Sequence, residues 1–359
     1  MHSSTVPCHL CSKEAALKFQ GHMGYQNTQK YDIYHCENCY TAFALPLTID
    51  ENIYNHIYSQ IEKVPGYERY YRYANEVLLQ KDPLEYLSQS EDVYWSIQDY
   101  FNKRKDKRIK VLEVGCGFGY LTYALQKSGY DVLGLDISHV AVSQSKERYG
   151  DFYLCADIKE YADQVGPVYD VIIFTEVIEH IPDVKGFLEA ANKLLLPQGD
   201  LIMTTPNRSF FPSDVLWESD LPPVHFCWFS EKSLTVLSTQ LNHNVRFIDF
   251  TPFTIQEYKK HKTYPQPYIE FRNFQPTRLP VFDEKFNLIK RSTRINVTIP
   301  SEPLPEKPVR KKIKKALHAM GLLKMITNLK EKYRILQKIR FLRKSKPVRP
   351  TLCAIFHKQ

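Results

Sequence analysis

Between residues 108 and 253, short apolar runs alternate with stretches whose apolar positions recur every three or four residues. Residues 109–114, 132–137, 152–155, 171–174 and 201–204 read as buried strands. Residues 120–128, 138–149 and 184–196 read as helices between them. Such alternation predicts βαβ units, an α/β doubly wound architecture whose parallel sheet is covered on both faces. Residues 351–358 read as one more strand, pairing with 244–250, so that the chain between them is an insertion. Upstream, 49–107 is tyrosine-rich with helical spacing, as at Tyr86, Tyr94, Ile97 and Phe101. Residues 1–48 carry paired cysteines, and 254–308 shows no regular pattern. From 322 to 342 Leu322, Ile326, Leu329, Tyr333, Leu336, Ile339 and Leu342 make an amphipathic helix with Lys/Arg between them.

Four parts follow: 1–48, a helical connector over 49–107, a core of 108–253 plus 350–359, and an insertion over 254–349. With 43% apolar and 25% charged residues, the 359-residue chain has a globular composition. No run approaches eighteen apolar residues, and the start lacks the basic and apolar regions of a secretory signal. A cytoplasmic protein is expected, its eight cysteines thiols or metal ligands. The net charge of +8 is local: residues 309–349 hold fifteen Lys/Arg and one acid, Glu331. Taking that +14 from +8 leaves the remainder at −6.

The run Val111-Leu-Glu-Val-Gly-Cys-Gly-Phe-Gly119 is a predicted strand entering a helix. Gly115, Gly117 and Gly119 permit a tight turn that a ligand can approach closely. Asp136 ends the next strand, where a carboxylate can accept both hydroxyls of a ribose. A dinucleotide loop would want glycine where Tyr120 stands, and Glu113 would repel its pyrophosphate. A ligand with ribose, a cationic amine and a sulfonium, and no phosphate, suits these acids: S-adenosylmethionine (SAM).

These residues resemble the class I SAM-dependent methyltransferases, which implies a Rossmann-like seven-stranded sheet. The resemblance puts Asp136 on the ribose, Ile137 against the adenine, and Asp157 with Ile158 at the adenine amino group. The segment Tyr169-Asp-Val-Ile-Ile-Phe-Thr-Glu-Val-Ile-Glu-His-Ile is similar to the fourth-strand motif and adds Thr175 to the cofactor set. Its Glu-Val-Ile-Glu-His form is typical of ubiquinone-type O-methyltransferases.

Cys8-His-Leu-Cys11 and Cys36-Glu-Asn-Cys39 are two CxxC knuckles. Four thiolates at this spacing predict a closed, structural zinc ribbon, with His9 and His35 as spare ligands. Cys116, Cys155, Cys227 and Cys353 read as small core residues. A ribbon ahead of this core resembles the sugar C-methyltransferases and polysaccharide-cluster enzymes. Pro222-Pro-Val-His-Phe-Cys-Trp-Phe-Ser is similar to their histidine motif, with Val224 where an acid is usual.

Methyl transfer to oxygen or carbon needs a proton acceptor, and histidine serves at neutral pH. His225 is the first choice, and His180 the second, as base or orienting group. The expected acceptor is a sugar, nucleotide sugar or glycan, with a lipid or quinone-like hydroxyl as the alternative. The non-enzymatic alternative is a SAM-fold scaffold that holds a polyanion. A nucleic-acid amino-methylation motif is missing after the fourth strand, where Thr175-Glu-Val-Ile stands, so a nucleic-acid acceptor is disfavoured. The basic segment over 309–349 reads as a solvated helix, as a binder of an anionic membrane surface at the inner face, or as a grip on RNA phosphates.

Overall fold

The computed structural model describes residues 4–26, 29–48, 51–64, 67–210, 221–261, 281–289 and 349–359. Those residues fall into two compact units, one of 4–248, 281–289 and 349–359, the other of 249–261. The amphipathic segment expected over 322–342 lies outside the described residues.

In the larger unit, β1 (Thr5–Pro7), β2 (Glu14–Met23), β3 (Lys30–His35) and β4 (Ala42–Leu45) form an antiparallel ribbon. Helices α1 (Glu51–Ser59), α2 (Glu68–Glu76), α3 (Pro83–Ser90) and α4 (Asp92–Arg104) make the connector. Asp82 starts α3 by accepting from the Glu85 amide at 3.0 Å, and Pro83 fits the first turn because its missing N–H would have no partner there.

The alternation predicted for the core is present as β5 (Lys110–Val114), α5 (Tyr120–Lys127), β6 (Asp131–Asp136), α6 (His139–Tyr149), β7 (Tyr153–Cys155), α7 (Ile158–Val165), β8 (Tyr169–Thr175), α8 (Val184–Leu194) and β9 (Leu195–Pro206). Strand β10 (Cys227–Trp228), helix α9 (Glu231–Gln240) and strand β11 (His243–Phe247) follow. The smaller unit is α10 (Thr251–His261), where no regular pattern was expected from 254 onward. Strand β12 (Thr351–Lys358) completes the seven-stranded sheet, ordered β11-β12-β9-β8-β5-β6-β7. Neighbours from β9 to β7 are parallel, and β12 runs antiparallel to both β9 and β11.

Three features depart from the sequence reading. Helix α7 was not expected: it buries only Ile158 and Ala162, one turn apart, too few positions for a visible period. The helix predicted over 184–196 stops at Leu194, because Leu195 already pairs with Tyr169 of β8. Finally, β10 joins the ribbon, Cys227 opposite Phe43 and Trp228 opposite Ala42.

Chain order sets where ligands bind. From β5 the chain steps outward through β6 and β7, then returns to place β8 on the other side of β5. The crevice at the carboxyl ends of β5 and β8 is therefore a topological switch point, the usual ligand site of such sheets. One apolar cluster runs from the ribbon (Leu10, Phe43) through Phe226 and Phe229 into the sheet (Leu112, Phe174, Phe356).

Phe356 has no exposed surface and lies within β12, flanked by β9 and β11. Phe356→Ala is expected to destabilise the chain by ~3–5 kcal/mol, as large-to-small changes in packed cores do. Urea unfolding checks it; a loss below ~1 kcal/mol would mean that β12 is not part of the packed core.

Candidate active site

The loop after β5 turns on three glycines with φ of +73°, +50° and +74° at 115, 117 and 119. A Cβ on Gly115 would come within 2.6 Å of Val177, and one on Gly119 within 2.6 Å of Tyr153. At Gly117 a Cβ would meet nothing within 4 Å, so the backbone there borders open space that a ligand can enter. Asp136 closes this cradle. Its Oδ2 accepts from the Gly117 amide and its Oδ1 from the Ser138 amide, both at 2.8 Å. Burial raises its pKa, an effect that the amide hydrogen bonds reduce but do not cancel.

Ile137, 75% exposed, and Val140 offer a bare apolar shelf beside the carboxylate, where a flat base can lie. Asp157 lines the same cavity and caps α7 through the Lys159 amide at 2.7 Å, with Ile158 beneath it. Thr175 lines it from the end of β8. Glu113, expected as an anion facing the ligand, is instead 2% exposed and accepts a hydrogen bond from the Thr122 hydroxyl. Burial pushes its carboxyl up to about 8, so at neutral pH it carries a proton.

The cavity, about 1240 Å³, continues past the cradle into a second half. Tyr54 of α1, Tyr67, Arg69 and Tyr70 around α2, and Tyr94 of α4 form its aromatic wall, while Tyr58 of α1 stands beside Phe118 of the glycine loop. Arg69 bonds Glu91 at 2.8 Å and donates to the Tyr70 hydroxyl at 2.8 Å. Opposite stand His180 and His225, their rings edge to face with centroids 4.5 Å apart. His180 Nδ1 lies 2.6 Å from the Val224 carbonyl oxygen. A carbonyl only accepts, so Nδ1 is the donor here, while Nε2 lies 3.9 Å from Glu179 Oε1. Its neighbour Glu179 is held by the Thr205 hydroxyl at 2.9 Å. His225 is 7% exposed, and burial drives its pKa down to about 3.

The four knuckle sulfurs converge. Cys8 and Cys39 are 3.6 Å apart, Cys11 and Cys36 3.5 Å, and all four lie within 4.8 Å of one another. Tetrahedral zinc with bonds of about 2.3 Å spaces its sulfurs roughly 3.8 Å apart, so the donor set fits that ion. Neither His9 nor His35 is part of the cluster. His9 turns instead to Cys227, Nε2 to Sγ at 3.4 Å.

That contact is one of several ties between the ribbon and the loop carrying His225. The Tyr25 amide donates to Pro222 O at 2.6 Å and the Ala44 amide to Phe226 O at 2.9 Å. Helix α9, which follows that loop, is tied to the ribbon too: Ser233 donates to Cys39 O at 3.0 Å, and Gln240 to Leu10 O at 2.7 Å. The cysteine knuckles thereby buttress one wall of the cavity.

Every cofactor residue expected from sequence lies on or beside this cavity, and both histidines line it. Sequence reasoning missed Tyr54, Tyr58, Arg69 and Glu176. Glu176 sits in the left-handed region at φ +54°, its carboxyl pushed up to about 8 by burial. Its Oε1 has no hydrogen-bond partner among the described residues. Only the density of tyrosines in the connector hinted at the aromatic wall.

Residues 86–246 match a protein-family profile described as a methyltransferase domain. Among curated relatives, the "Ubiquinone biosynthesis O-methyltransferase" of Erwinia tasmaniensis is 35% identical over 105 residues, 28% of this chain and 43% of that one. The protein of the same name from Idiomarina loihiensis is 36% identical over 106 residues, with the same shares. The chain thus spans less than half the length of these relatives. A solved SAM-dependent methyltransferase from Archaeoglobus fulgidus aligns at 13% identity with a TM-score of 0.39, over 73% of this chain and 93% of that one.

Metal analysis should find one zinc per chain, lost in Cys36→Ser; a folded, metal-free wild-type protein would contradict the ribbon assignment. Acid stability reports on His225. Its folded pKa lies below the ~6.5 of an unfolded histidine, so between about pH 6.5 and 3 the unfolded chain binds a proton that the folded one refuses. This stability is present above pH 6.5 and is lost as pH falls, by at most about 1.4 kcal/mol per pH unit. Urea midpoints at pH 7, 6 and 5 should fall less steeply in His225→Asn than in wild type.

Proposed function

We propose that the chain, whose residues 86–246 match the profile of a methyltransferase domain, uses SAM to methylate a hydroxyl oxygen of a small molecule. The observation that carries this is one continuous cavity lined both by Gly117 and Asp136 of the cradle and by His180. SAM would lie on Asp136, Ile137 and Asp157 and supplies an electrophilic methyl group. The chain's own residues do the rest. The aromatic wall orients the acceptor, and His180 Nε2 takes the hydroxyl proton as the oxygen–carbon bond forms and the carbon–sulfur bond breaks. His225, neutral at physiological pH, packs against the His180 ring and holds it in place. Cys8, Cys11, Cys36 and Cys39 would hold a structural zinc, with no open position for chemistry.

A phenolic or quinol-precursor hydroxyl is the favoured acceptor. The names of the relatives support it, as does a wall of tyrosines suited to a flat ring. A sugar or glycan is the second reading, favoured by the polar groups Arg69 and Glu176 among those tyrosines. An anionic membrane surface as a partner of residues 309–349 rests on their charge alone.

Transfer of label from methyl-labelled SAM to 3,4-dihydroxybenzoate and to UDP-N-acetylglucosamine tests the acceptor class. The expected product is the labelled phenolic ether. His180→Ala should lower kcat by 10²–10⁴-fold with unchanged affinity for S-adenosylhomocysteine. Label on the sugar alone would favour the second reading. Label on neither probe, with cofactor bound, would overturn both acceptor classes.

A further inference from the structure

Helix α1 contributes two side chains to the cavity, Tyr54 and Tyr58. One face is anchored: Ile53 and Ile57 are buried in an apolar cluster with Tyr25, Leu221 and Phe282. Tyr54 and Tyr58, one turn apart, line the cavity instead. Four residues of helix span about 6 Å, so their side chains form one rigid pair.

Each tyrosine reaches a different end of the site. The Tyr58 ring meets Phe118, inside the glycine loop, edge-on at 5.6 Å between centroids. Tyr58 and Asp136 line the same cavity. Tyr54 donates its hydroxyl to Val224 O at 3.3 Å, the same oxygen that receives His180 Nδ1 at 2.6 Å. The Tyr54 ring also stands edge-on to His180, centroids 6.4 Å apart. One carbonyl therefore holds both the helix and the proton acceptor.

On the reading of this cavity as a cofactor and acceptor site, the geometry points to α1 as a latch: Tyr58 closes over bound cofactor, and Tyr54 thereby fixes His180 for the acceptor. A ligand in the cradle adds contacts to Tyr58 that exist only when α1 is seated. Seating α1 places the Tyr54 hydroxyl on Val224 O and so completes the orientation of His180. Cofactor binding and order at the acceptor end are coupled, and the coupling is reciprocal. Cofactor binds first, acceptor second. Both tyrosines are positioning residues, since neither exchanges a proton or a methyl group.

The test is amide hydrogen exchange on the full-length protein, with S-adenosylhomocysteine as the probe and calorimetry for its affinity. In wild type, saturating probe should slow exchange about tenfold in 51–59 and also in 176–181 and 221–228. Tyr54→Phe should keep the affinity and the slowing in 51–59, yet lose it in 176–181 and 221–228. Tyr58→Leu, which keeps an apolar side chain, should bind the probe about tenfold more weakly and lose the slowing everywhere but the glycine loop. Thermal unfolding of the unliganded variants close to wild type separates these effects from misfolding. Probe binding that leaves 51–59 unchanged, or Tyr54→Phe behaving as wild type, overturns the latch while leaving the cofactor site standing. A wild-type protein that binds no probe overturns the site reading itself, and the latch with it.

Discussion

Two backbone amides, those of Gly117 and Ser138, converge on the carboxylate of Asp136 at 2.8 Å each. They belong to the loops after β5 and after β6, so one side chain fixes the distance between neighbouring strand ends. A carboxylate can do this because it offers two oxygens, each able to accept an amide hydrogen. The shape of the cradle, the exposure of Ile137 and the room above Gly117 all follow from that constraint. The rest of the cavity is assembled around it from segments far apart in sequence.

The ribbon contributes to that assembly in a way its cysteines do not announce. Zinc-type knuckles are commonly a folding aid for a small module. Here the module's own sheet is completed by β10, which belongs to the loop bearing His225. The ribbon strands and the histidine loop therefore share a ladder of hydrogen bonds. Order imposed by the knuckles is passed to the cavity wall through backbone, the least compliant route available.

How much was legible from the residues depended on whether a feature was local. The glycine loop, Asp136 and the two cysteine pairs are short motifs whose chemistry requires those residue types at that spacing. The strands at 109–114, 132–137 and 171–174 are continuous apolar runs because both sheet faces are covered. By contrast, β10 is two residues long and exists only because Ala42 and Phe43 lie opposite. The places of Tyr54, Tyr58 and Arg69 depend on how α1 and α2 fold back over the sheet, which no single-segment pattern encodes. Glu176 was hidden for a related reason: its left-handed backbone and buried carboxyl are features of the folded chain that no local pattern encodes. The burial of His225 is likewise tertiary, set by the elements that pack over its loop.

The position of β12 has a consequence for how the chain reaches this structure. It lies between β9 and β11, yet roughly a hundred residues separate it from β11 in sequence. During synthesis at about 5–20 residues per second, several seconds pass in which β9 is finished and its partner does not yet exist. Throughout that interval β9 presents an open, apolar strand edge, the kind that pairs with whatever strand is nearby. Closing so long a loop adds little to the equilibrium cost, because that cost grows only logarithmically with length. The burden is kinetic, and it falls on the nascent chain, which must keep an interior edge covered until the strand that belongs there arrives.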